Sequence, residues 1–349
     1  MAQVRPFRAV RYDERAGPLA SLVAPPYDVL DEAARERYRA SSPHNVVHLT
    51  LADDPSETAA LWSAWLAEGV LALEQEAACW WLAQEYTGPD GVARTRGALV
   101  CSLRAEPYEN RVVLPHERTH AGPKEGRLRL LRALRTHVEP IFLLFDGALE
   151  RPDGESVLEV GLEGVRSRLW RLTGDPPDLG DARLLIADGH HRYETTLAYH
   201  AEEGTEESAW LLAAIVPTAQ EGLTIFPTHR VAERLGPVDG EQPVGTEELP
   251  TDRSAAIIYR AGGTTVVTGL PGEPDTALVD RLGLEGVTYT PSDHEAKAAV
   301  ESGAAQAAVL VRPPSVELVR ELAERGETMP QKSTYFYPKL PSGLLFHPL

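Results

Sequence analysis

The sequence contains little cysteine, little lysine and no long apolar run, and each shortage argues against a class of protein. Its 349 residues include two cysteines, Cys79 and Cys101, without the spacing of a disulfide framework or of a C-x-x-C motif. No charge-free apolar stretch approaches the roughly 20 residues that a membrane-spanning helix needs. Arg5, Arg8 and Arg11 interrupt the start before a signal-peptide core could form. We therefore expect a cytoplasmic protein without a membrane partner.

Positive charge is also scarce, since the formal net charge is -18. We expect no duplex nucleic acid partner, because binding to a duplex depends on neutralising its phosphates with basic side chains. Lysine is rarer than arginine and is confined to Lys124, Lys297, Lys332 and Lys339. A lysine retained in such a chain suggests a need for a compact ammonium with rotatable donors, although chance would also leave a few.

What is present is an alternation of short strand and helix patterns, which predicts an α+β (mixed α/β) fold. The length suits two domains. We predict a first domain over 1–234, an acidic linker rich in Gly and Pro over 235–252, and a smaller α/β domain over 253–349. Buried strands are predicted for "NVVHLTL", "PIFLLFD" and "RLLIAD", and a hairpin is predicted around Gly-Pro-Asp-Gly at 88–91.

The most informative stretch is "RLLIADGHHRYETTLAYHAEE", residues 183–203, in which Asp188, Gly189, His190, His191 and Arg192 separate a buried strand from a helix. The first amides of a helix lack intrahelical partners and the helix dipole is positive there, so this turn suits a phosphate. Gly189 permits close approach, Arg192 can clamp a phosphate, and the histidines can donate to it. Asp188 can bind Mg²⁺ or act as a base, or it can simply cap the helix.

A second motif is a literal H-E-x-x-H formed by His116, Glu117 and His120. On one helix face this spacing suits a zinc hydrolase. Pro115 and the Gly-Pro pair at 122–123 leave less than two uninterrupted helical turns, so we expect no zinc.

The helix that follows places a charge among apolar residues. In a projection that starts at Lys124, Arg127 falls in the middle of the apolar face. A buried arginine needs a partner, which is either an internal carboxylate or a bound phosphate. Lys124, one turn earlier, would reach towards the same end of the helix.

The tail "MPQKSTYFYPK", residues 329–339, combines lysines with hydroxyl and aromatic side chains. It predicts either a loop that closes over a ligand or a packed terminal strand. In the first case Lys332, Ser333 and Tyr335 bind the substrate, together with Glu194 of the helix after the Asp188 turn.

The sequence resembles the prokaryotic family known as domain of unknown function 1015. The resemblance runs from residue 6 to the C-terminus through "PFRAVRY", "VAPPYDV", "SPHNVVHL", "HERT", "KEGRL", "ADGHHRYET", "PTHRV" and "MPQKSTYFYPKLPSGL". The family pattern does not require His120, which weakens the zinc interpretation further. No P-loop, Rossmann or G-x-S-x-G motif is present.

The turn from Asp188 to Arg192 also resembles that of the ParB/sulfiredoxin superfamily. In that superfamily a short Gly-containing turn, ending in Arg at a helix start, cradles nucleotide phosphates. Its members include sulfiredoxin, CTP-hydrolysing partition proteins and an ADP-dependent kinase of free serine with a similar Asp-Gly-x-His-Arg turn. The resemblance implies a ParB/sulfiredoxin-like nucleotide-binding core in the first domain.

Together these patterns predict a phosphotransferase that uses ATP or ADP with Mg²⁺ and acts on a small hydroxyl-bearing metabolite such as free serine. The phosphates would be held by the turn from Gly189 to Arg192, with Lys124 and Arg127 adding charge. Asp188 would bind Mg²⁺, and Asp28 or Glu117 would take the proton of the acceptor hydroxyl. The alternatives are a non-catalytic nucleotide-binding switch and, third, the zinc hydrolase. The sequence does not indicate an oligomeric state.

Overall fold

The structure is a computed structural model that describes residues 1–52, 54–117, 121–244 and 249–349, with only the backbone described for 121–123. The chain divides into two compact units. The first contains the described residues of Met1–Pro115, Thr119–Leu223 and Pro338–Leu349, and the second contains those of His116–Arg118 and Thr224–Tyr337. The second unit is thus largely an insertion into the sequence of the first.

The described residues form these α-helices: α1 (Glu32–Ser41), α2 (Val47–Thr50), α3 (Pro55–Ala67), α4 (Ala121–Leu134), α5 (His190–Glu203), α6 (Asp275–Asp280), α7 (Asp293–Glu301) and α8 (Val316–Glu324). Short 3-10 helices lie at Glu14–Ala16, Leu19–Ser21, Tyr27–Val29, Tyr108–Asn110 and Glu207–Ala209. In this part of the chain, no helix has the length and apolar character of a membrane span.

The strands are β1 (Val4–Arg5), β2 (Val10–Tyr12), β3 (Leu71–Leu73), β4 (Cys79–Thr87), β5 (Ala93–Arg104), β6 (Val113–Leu114), β7 (Thr136–His137), β8 (Ile141–Phe145), β9 (Leu158–Leu162), β10 (Val165–Leu172), β11 (Leu184–Asp188), β12 (Trp210–Pro217), β13 (Thr224–Phe226), β14 (His229–Arg234), β15 (Gln242–Pro243), β16 (Ala255–Arg260), β17 (Gly263–Thr268), β18 (Glu285–Thr290), β19 (Ala307–Leu310), β20 (Tyr335–Tyr337) and β21 (His347–Pro348).

The first unit is built on a nine-stranded mixed sheet. Its order is β6-β11-β8-β12-β5-β4-β10-β9, and β1 pairs with β5. The pairs β6/β11 and β8/β12 are parallel, and the others are antiparallel. Every residue of β8 and β12 is buried, which explains why these strands read as continuous apolar runs rather than as alternating patterns. The mixed α/β prediction is confirmed.

Local signals account for several elements of the first unit. The Asp31 side chain accepts from the amide of Ala34 and so caps the start of α1. The predicted hairpin is present, since β4 and β5 pair across the turn at 88–91. The buried strand predicted for "NVVHLTL" is wrong, because its middle forms α2. The Asn45 side chain accepts from the Val47 amide and donates to the carbonyls of Ser21 and Val23, which favours a turn there.

The second unit contains an antiparallel six-stranded sheet of order β15-β17-β16-β19-β14-β18. The hydroxyls of Ser292 and Ser315 cap the starts of α7 and α8. The strands β13 and β20 pair with each other, so that the residues Thr224 and Tyr337, at the two ends of the insertion, are direct partners.

The two units divide the chain differently from the predicted domains. β14 lies before the predicted boundary at 234 but pairs with β18 and β19 of the second unit. β15 lies within the predicted linker and pairs with β17. Residues 338–349 return to the first unit, where Phe346 is fully buried and β21 pairs with β7. These long-range pairings have no local signature in the sequence.

Candidate active site

The turn between β11 and α5 has the predicted strand-glycine-helix geometry. β11 ends at Asp188, Gly189 adopts a φ of 96°, and α5 begins at His190. A Cβ on Gly189 would lie 2.8 Å from Cγ2 of Ile141 and 3.2 Å from Cζ of Arg192. Glycine is therefore required by both the left-handed backbone and the close packing. The helix starts without a side-chain cap, because its N-cap residue is this glycine.

Asp188 is held between two cations. Its Oδ2 accepts from Nη2 of Arg192 at 2.6 Å, and its Oδ1 accepts from Nζ of Lys339. Burial by itself would raise the pKa of Asp188, but the charges of Lys339 and Arg192, with a smaller contribution from His190, hold it well below its ordinary value. The side chain is thus an ionised carboxylate at neutral pH, and it does not cap α5.

The surroundings of Asp188 do not fit its predicted role as a Mg²⁺ ligand. Each of its oxygens already accepts a hydrogen bond from a cationic nitrogen, so a metal ion would have to displace Lys339 or Arg192. Across the described ranges, no group of three or more His, Cys, Asp or Glu side chains is arranged to hold a metal ion.

Arg192 has a different arrangement from the predicted phosphate clamp. Besides donating to Asp188, its guanidinium donates from Nη1 to the carbonyl of Pro140. Arg192 lies in the first turn of α5, and its side chain forms an ion pair with Asp188 at the end of β11. Its terminal nitrogens therefore organise Asp188. The neighbouring His190 is buried and His191 is half-buried, and both stay candidates for phosphate contact.

Asp28 belongs to the same group of charges. It lies in the 3-10 turn Tyr27–Val29 and its side chain is exposed to solvent. Burial by the surrounding atoms and the negative charge of Asp188 raise the pKa of Asp28, while Lys339 and Arg192 oppose the rise. Asp28 and Asp188 are thus two nearby carboxyls with opposite pKa shifts.

Arg127 lies close to a carboxylate without a hydrogen bond to it. Its Nη1 is 3.8 Å from Oε2 of the buried Glu139, and its Nη2 donates to the carbonyl of Thr50 at 2.7 Å. The guanidinium lies 3.8 Å from the ring centroid of Tyr27. Arg127 and Glu139 line a small cavity together with Arg192. The structure therefore combines features of both predicted alternatives, a nearby carboxylate and a shared cleft.

Lys124 and Glu194 contact each other. Nζ of Lys124, on α4, is 3.2 Å from Oε2 of Glu194, on α5. The charge of Lys124, which was predicted to bind phosphate, is therefore balanced by Glu194, which was predicted to bind substrate.

The remaining predicted site residues belong to the second unit. Glu117 forms an isolated backbone bridge with Met329, and Oγ of Ser333 lies 2.6 Å from the Pro330 carbonyl and 2.9 Å from the Thr276 hydroxyl. Lys332 has a φ of 56°, and Tyr335 begins β20, so the packed-strand alternative holds for 335–337. The structure does not assign these residues to the unit that contains Asp188.

The H-E-x-x-H segment does not begin on a helix. His116 and Glu117 precede α4, which starts at Ala121. His116 is buried, and its Nε2 lies 3.0 Å from Oγ1 of Thr334. His120 lies outside the described residues. The shared helix face that the zinc motif requires is therefore not formed at His116 and Glu117.

Sequence reasoning missed Lys339 and Glu139 as members of the charged group. Oε1 of Glu139 accepts from the amide of Tyr27 at 3.2 Å and from the Ser342 hydroxyl at 2.6 Å, which ties the Asp28 turn to the tail. The scarcity of lysine was a usable signal for Lys339, one of four in the chain. No local pattern indicated Glu139.

Comparison with known proteins identifies the family. The profile described as a protein of unknown function, DUF1015, matches residues 4–248. The chain belongs to the DUF1015 family. No curated protein matches this DUF1015 protein significantly.

Several solved structures are similar to the DUF1015 protein. A free serine kinase in complex with AMP is 15% identical, with a TM-score of 0.41 over 67% of this chain and 89% of that chain. A conserved hypothetical protein from Pyrococcus furiosus is 17% identical, with a TM-score of 0.41 over 66% and 90%. SbnI with a C-terminal truncation, from Staphylococcus aureus, is 13% identical, with a TM-score of 0.36 over 69% and 84%.

Proposed function

We propose that this protein is a nucleotide-dependent phosphotransferase that acts on a small hydroxyl-bearing metabolite. The observation that carries the proposal is the pair formed by Asp28 and Asp188. Their surroundings raise one pKa and lower the other, which is how active sites separate a proton-accepting group from a permanently charged one. The accessible member, Asp28, is the one that a substrate can reach.

The charge around this pair favours an anionic ligand. Lys339, Arg192 and Arg127 lie among the carboxylates of Asp188, Glu139 and Asp28 in a chain whose net charge is -18. The N-terminus of α5 lies beside these groups and adds unpaired amides and the positive end of its dipole. A nucleotide phosphate matches this combination.

In this proposal each residue has a separate task. Asp28 accepts the proton of the acceptor hydroxyl as the oxygen bonds to the transferred phosphorus; the P–O bond to the nucleotide breaks, and the nucleotide leaves with one phosphate fewer. Gly189, His190 and His191 contact the phosphates, and Lys339 stabilises the negative charge that develops on them. Asp188 keeps Lys339 and Arg192 in place. The resemblance of the turn to that of an ADP-dependent serine kinase makes ADP, ATP and free serine the first reagents to test.

The test compares binding with turnover in one charge-matched pair of variants. Asp28→Asn should keep nucleotide affinity in calorimetry and lower phosphoryl transfer by about 10²- to 10⁴-fold, the usual contribution of a general base. Asp31→Asn removes the same charge three residues later and preserves the helix cap, so its transfer rate should be unchanged.

Two results would contradict the proposal. One is an Asp28→Asn variant that transfers phosphate at the unchanged rate. The other is nucleotide binding without consumption for every hydroxyl acceptor tried, which would favour the non-catalytic switch.

A further inference from the structure

The position of Lys339 depends on how the chain is held at the start of its returning tail. Pro338 and Lys339 are the first residues of the segment that belongs again to the first unit. Their backbone carbonyls both accept side-chain hydrogen bonds. Nη2 of Arg96 donates to the Pro338 carbonyl at 2.5 Å, and Nε2 of Gln84 donates to the Lys339 carbonyl at 3.2 Å. The side chains of Arg96 and Gln84 therefore hold two successive backbone carbonyls of the tail.

Gln84 and Arg96 act as one pair. They are register partners on the neighbouring strands β4 and β5, so their side chains leave the same face of the sheet. Oε1 of Gln84 accepts from Nη2 of Arg96 at 2.5 Å. Both residues are almost completely buried. The side-chain amide of Gln84 thus accepts from Arg96 with its oxygen and donates to the tail with its nitrogen.

A contribution to stability alone does not explain an arginine at the buried position 96. Arg96 is 1% exposed, and among the described residues its Nε and Nη1 lack hydrogen-bond partners. Its guanidinium lies 4.5 Å from the ring centroid of Phe142, the register partner of Asp188. Burial lowers the pKa of Arg96 to about 10, so it is still charged at neutral pH. A buried charge with this few partners is costly, which suggests a role beyond packing.

We propose that Gln84 and Arg96 are positioning residues that hold the carbonyls of Pro338 and Lys339 and thereby fix the Lys339 ammonium against Asp188. This role goes beyond the proposed function, which assigns no task to either residue. It applies to any reaction at Asp188, because it concerns where the charge of Lys339 is held.

The consequence is measurable through the carboxyls that Lys339 influences. The charged and titratable groups around Asp188 are Lys339 from the tail, Arg192 and His190 from α5, Asp28 from its turn and, from β5, Arg96. Releasing the tail moves the charge of Lys339 away from Asp188. The pKa of Asp188 should then rise by about 1 to 3 pH units, the effect of losing one adjacent opposite charge, and the pKa of Asp28 should also rise.

The experiment is a double-mutant cycle read by NMR titration of the Asp28 and Asp188 carboxyl carbons in the full-length protein. Gln84→Met keeps the length of the side chain but removes both of its hydrogen bonds. It should raise the two pKa values in the same direction as Lys339→Met. Adding Gln84→Met to Lys339→Met should produce no further rise, because the charge to be positioned is already gone.

A matched control loosens the same tail elsewhere. The Ser102 hydroxyl hydrogen-bonds Nε2 of His347 at 2.7 Å, eight positions after Lys339. Ser102→Ala should lower the melting temperature and leave both carboxyl pKa values unchanged.

Two results would overturn the inference. One is a folded Gln84→Met protein in which the pKa values of Asp28 and Asp188 are unchanged. The other is a double variant whose pKa shifts equal the sum of the shifts in the two single variants. If Gln84→Met does not fold, Arg96→Lys replaces it. That change keeps the positive charge but removes the planar guanidinium, and it should raise the pKa values of Asp28 and Asp188. None of these readouts uses enzymatic activity, so their failure would leave the proposed function standing, and the reverse also holds.

Discussion

Asp28 and Asp188 carry the same side chain, but their surroundings drive the two pKa values in opposite directions. Asp188 is paired with Lys339 and Arg192, whereas Asp28 has a partly desolvated carboxyl and faces the negative charge of Asp188. At the scale of single residues, the candidate chemistry therefore depends on which cation contacts which carboxylate. The same dependence extends to Arg127 and Glu139.

Arg127→Met should weaken both stability and anion binding. The change removes the hydrogen bond to the Thr50 carbonyl and the positive charge 3.8 Å from Glu139. Glu139 keeps its bonds to the Tyr27 amide and the Ser342 hydroxyl. We therefore expect the free energy of unfolding to fall by about 1 to 3 kcal/mol, less than the loss of a fully paired buried partner. Urea denaturation and nucleotide calorimetry measure the two effects.

Arg127→Lys is the control, since it keeps the charge near Glu139 and loses the planar contact with the Tyr27 ring. It should retain most of the anion affinity. Equal losses in the two variants would show that packing, and not charge, is what Arg127 contributes.

At the scale of elements, the turn between β11 and α5 depends on a backbone that only glycine adopts easily. Gly189→Ala should lower the free energy of unfolding by about 1 to 3 kcal/mol and also weaken nucleotide binding. The reasons are its φ of 96° and the 2.8 Å approach of a Cβ to Cγ2 of Ile141, which together would displace the start of α5. Thermal unfolding and calorimetry test the two parts.

Gly204 provides the matched comparison at the other end of α5. Its φ is 66°, and a Cβ there would meet nothing within 4 Å. Gly204→Ala should therefore show a stability loss of about 1 kcal/mol from backbone strain alone, with unchanged nucleotide affinity. If Gly189→Ala binds nucleotide as well as Gly204→Ala does, the turn is not the anion site.

At the scale of the whole molecule, buried histidines make stability depend on pH. Burial and the neighbouring His347 lower the pKa of His137 to about 3, and burial lowers that of His347 to about 4. The unfolded chain, with an ordinary histidine pKa near 6.5, binds protons more readily than the folded one. Their contribution to stability is therefore complete above about pH 6.5 and is lost as the pH falls towards 4.

We expect each of these histidines to add a slope of up to about 1.4 kcal/mol per pH unit to the free energy of unfolding below pH 6.5. Urea denaturation at pH 7 and pH 5 measures this slope. His347→Gln should flatten it, whereas His294→Gln serves as a control at an exposed histidine. An unchanged slope in His347→Gln would mean that His347 is not the titrating group.

The inserted second unit should be removable while the tail should not. Thr224 and Tyr337 are direct partners in β13 and β20, so residues 223 and 338 can be joined by a short Gly-Ser linker. A chain of 1–223 joined to 338–349 should unfold cooperatively, because the tail supplies Phe346 to the core and β21 to β7. A chain of 1–223 alone should lack near-UV circular dichroism. Cooperative unfolding of that shorter chain would contradict the expected role of the tail.

The sequence by itself determined the features that depend on neighbours along the chain. The cap at Asp31, the hairpin at 88–91 and the change from strand to helix at Gly189 follow from capping, turn chemistry and periodicity, which act over a few residues. One local interaction was not predicted even here. The side-chain hydrogen bonds of Asn45 favour a turn, and α2 forms where a strand was predicted. The resemblance to the DUF1015 family could also be recognised from the sequence motifs, and the profile match over residues 4–248 confirms it.

Only the tertiary structure decided which charges meet. Lys339 contacts Asp188 across 151 positions of sequence, and Arg192 uses its terminal nitrogens on Asp188 and Pro140 where a phosphate clamp was predicted. The return of the tail places Lys339 in the first unit rather than in the predicted C-terminal domain. A side chain's pairing depends on where the folded chain brings distant strands together, and periodicity carries no information about that closure.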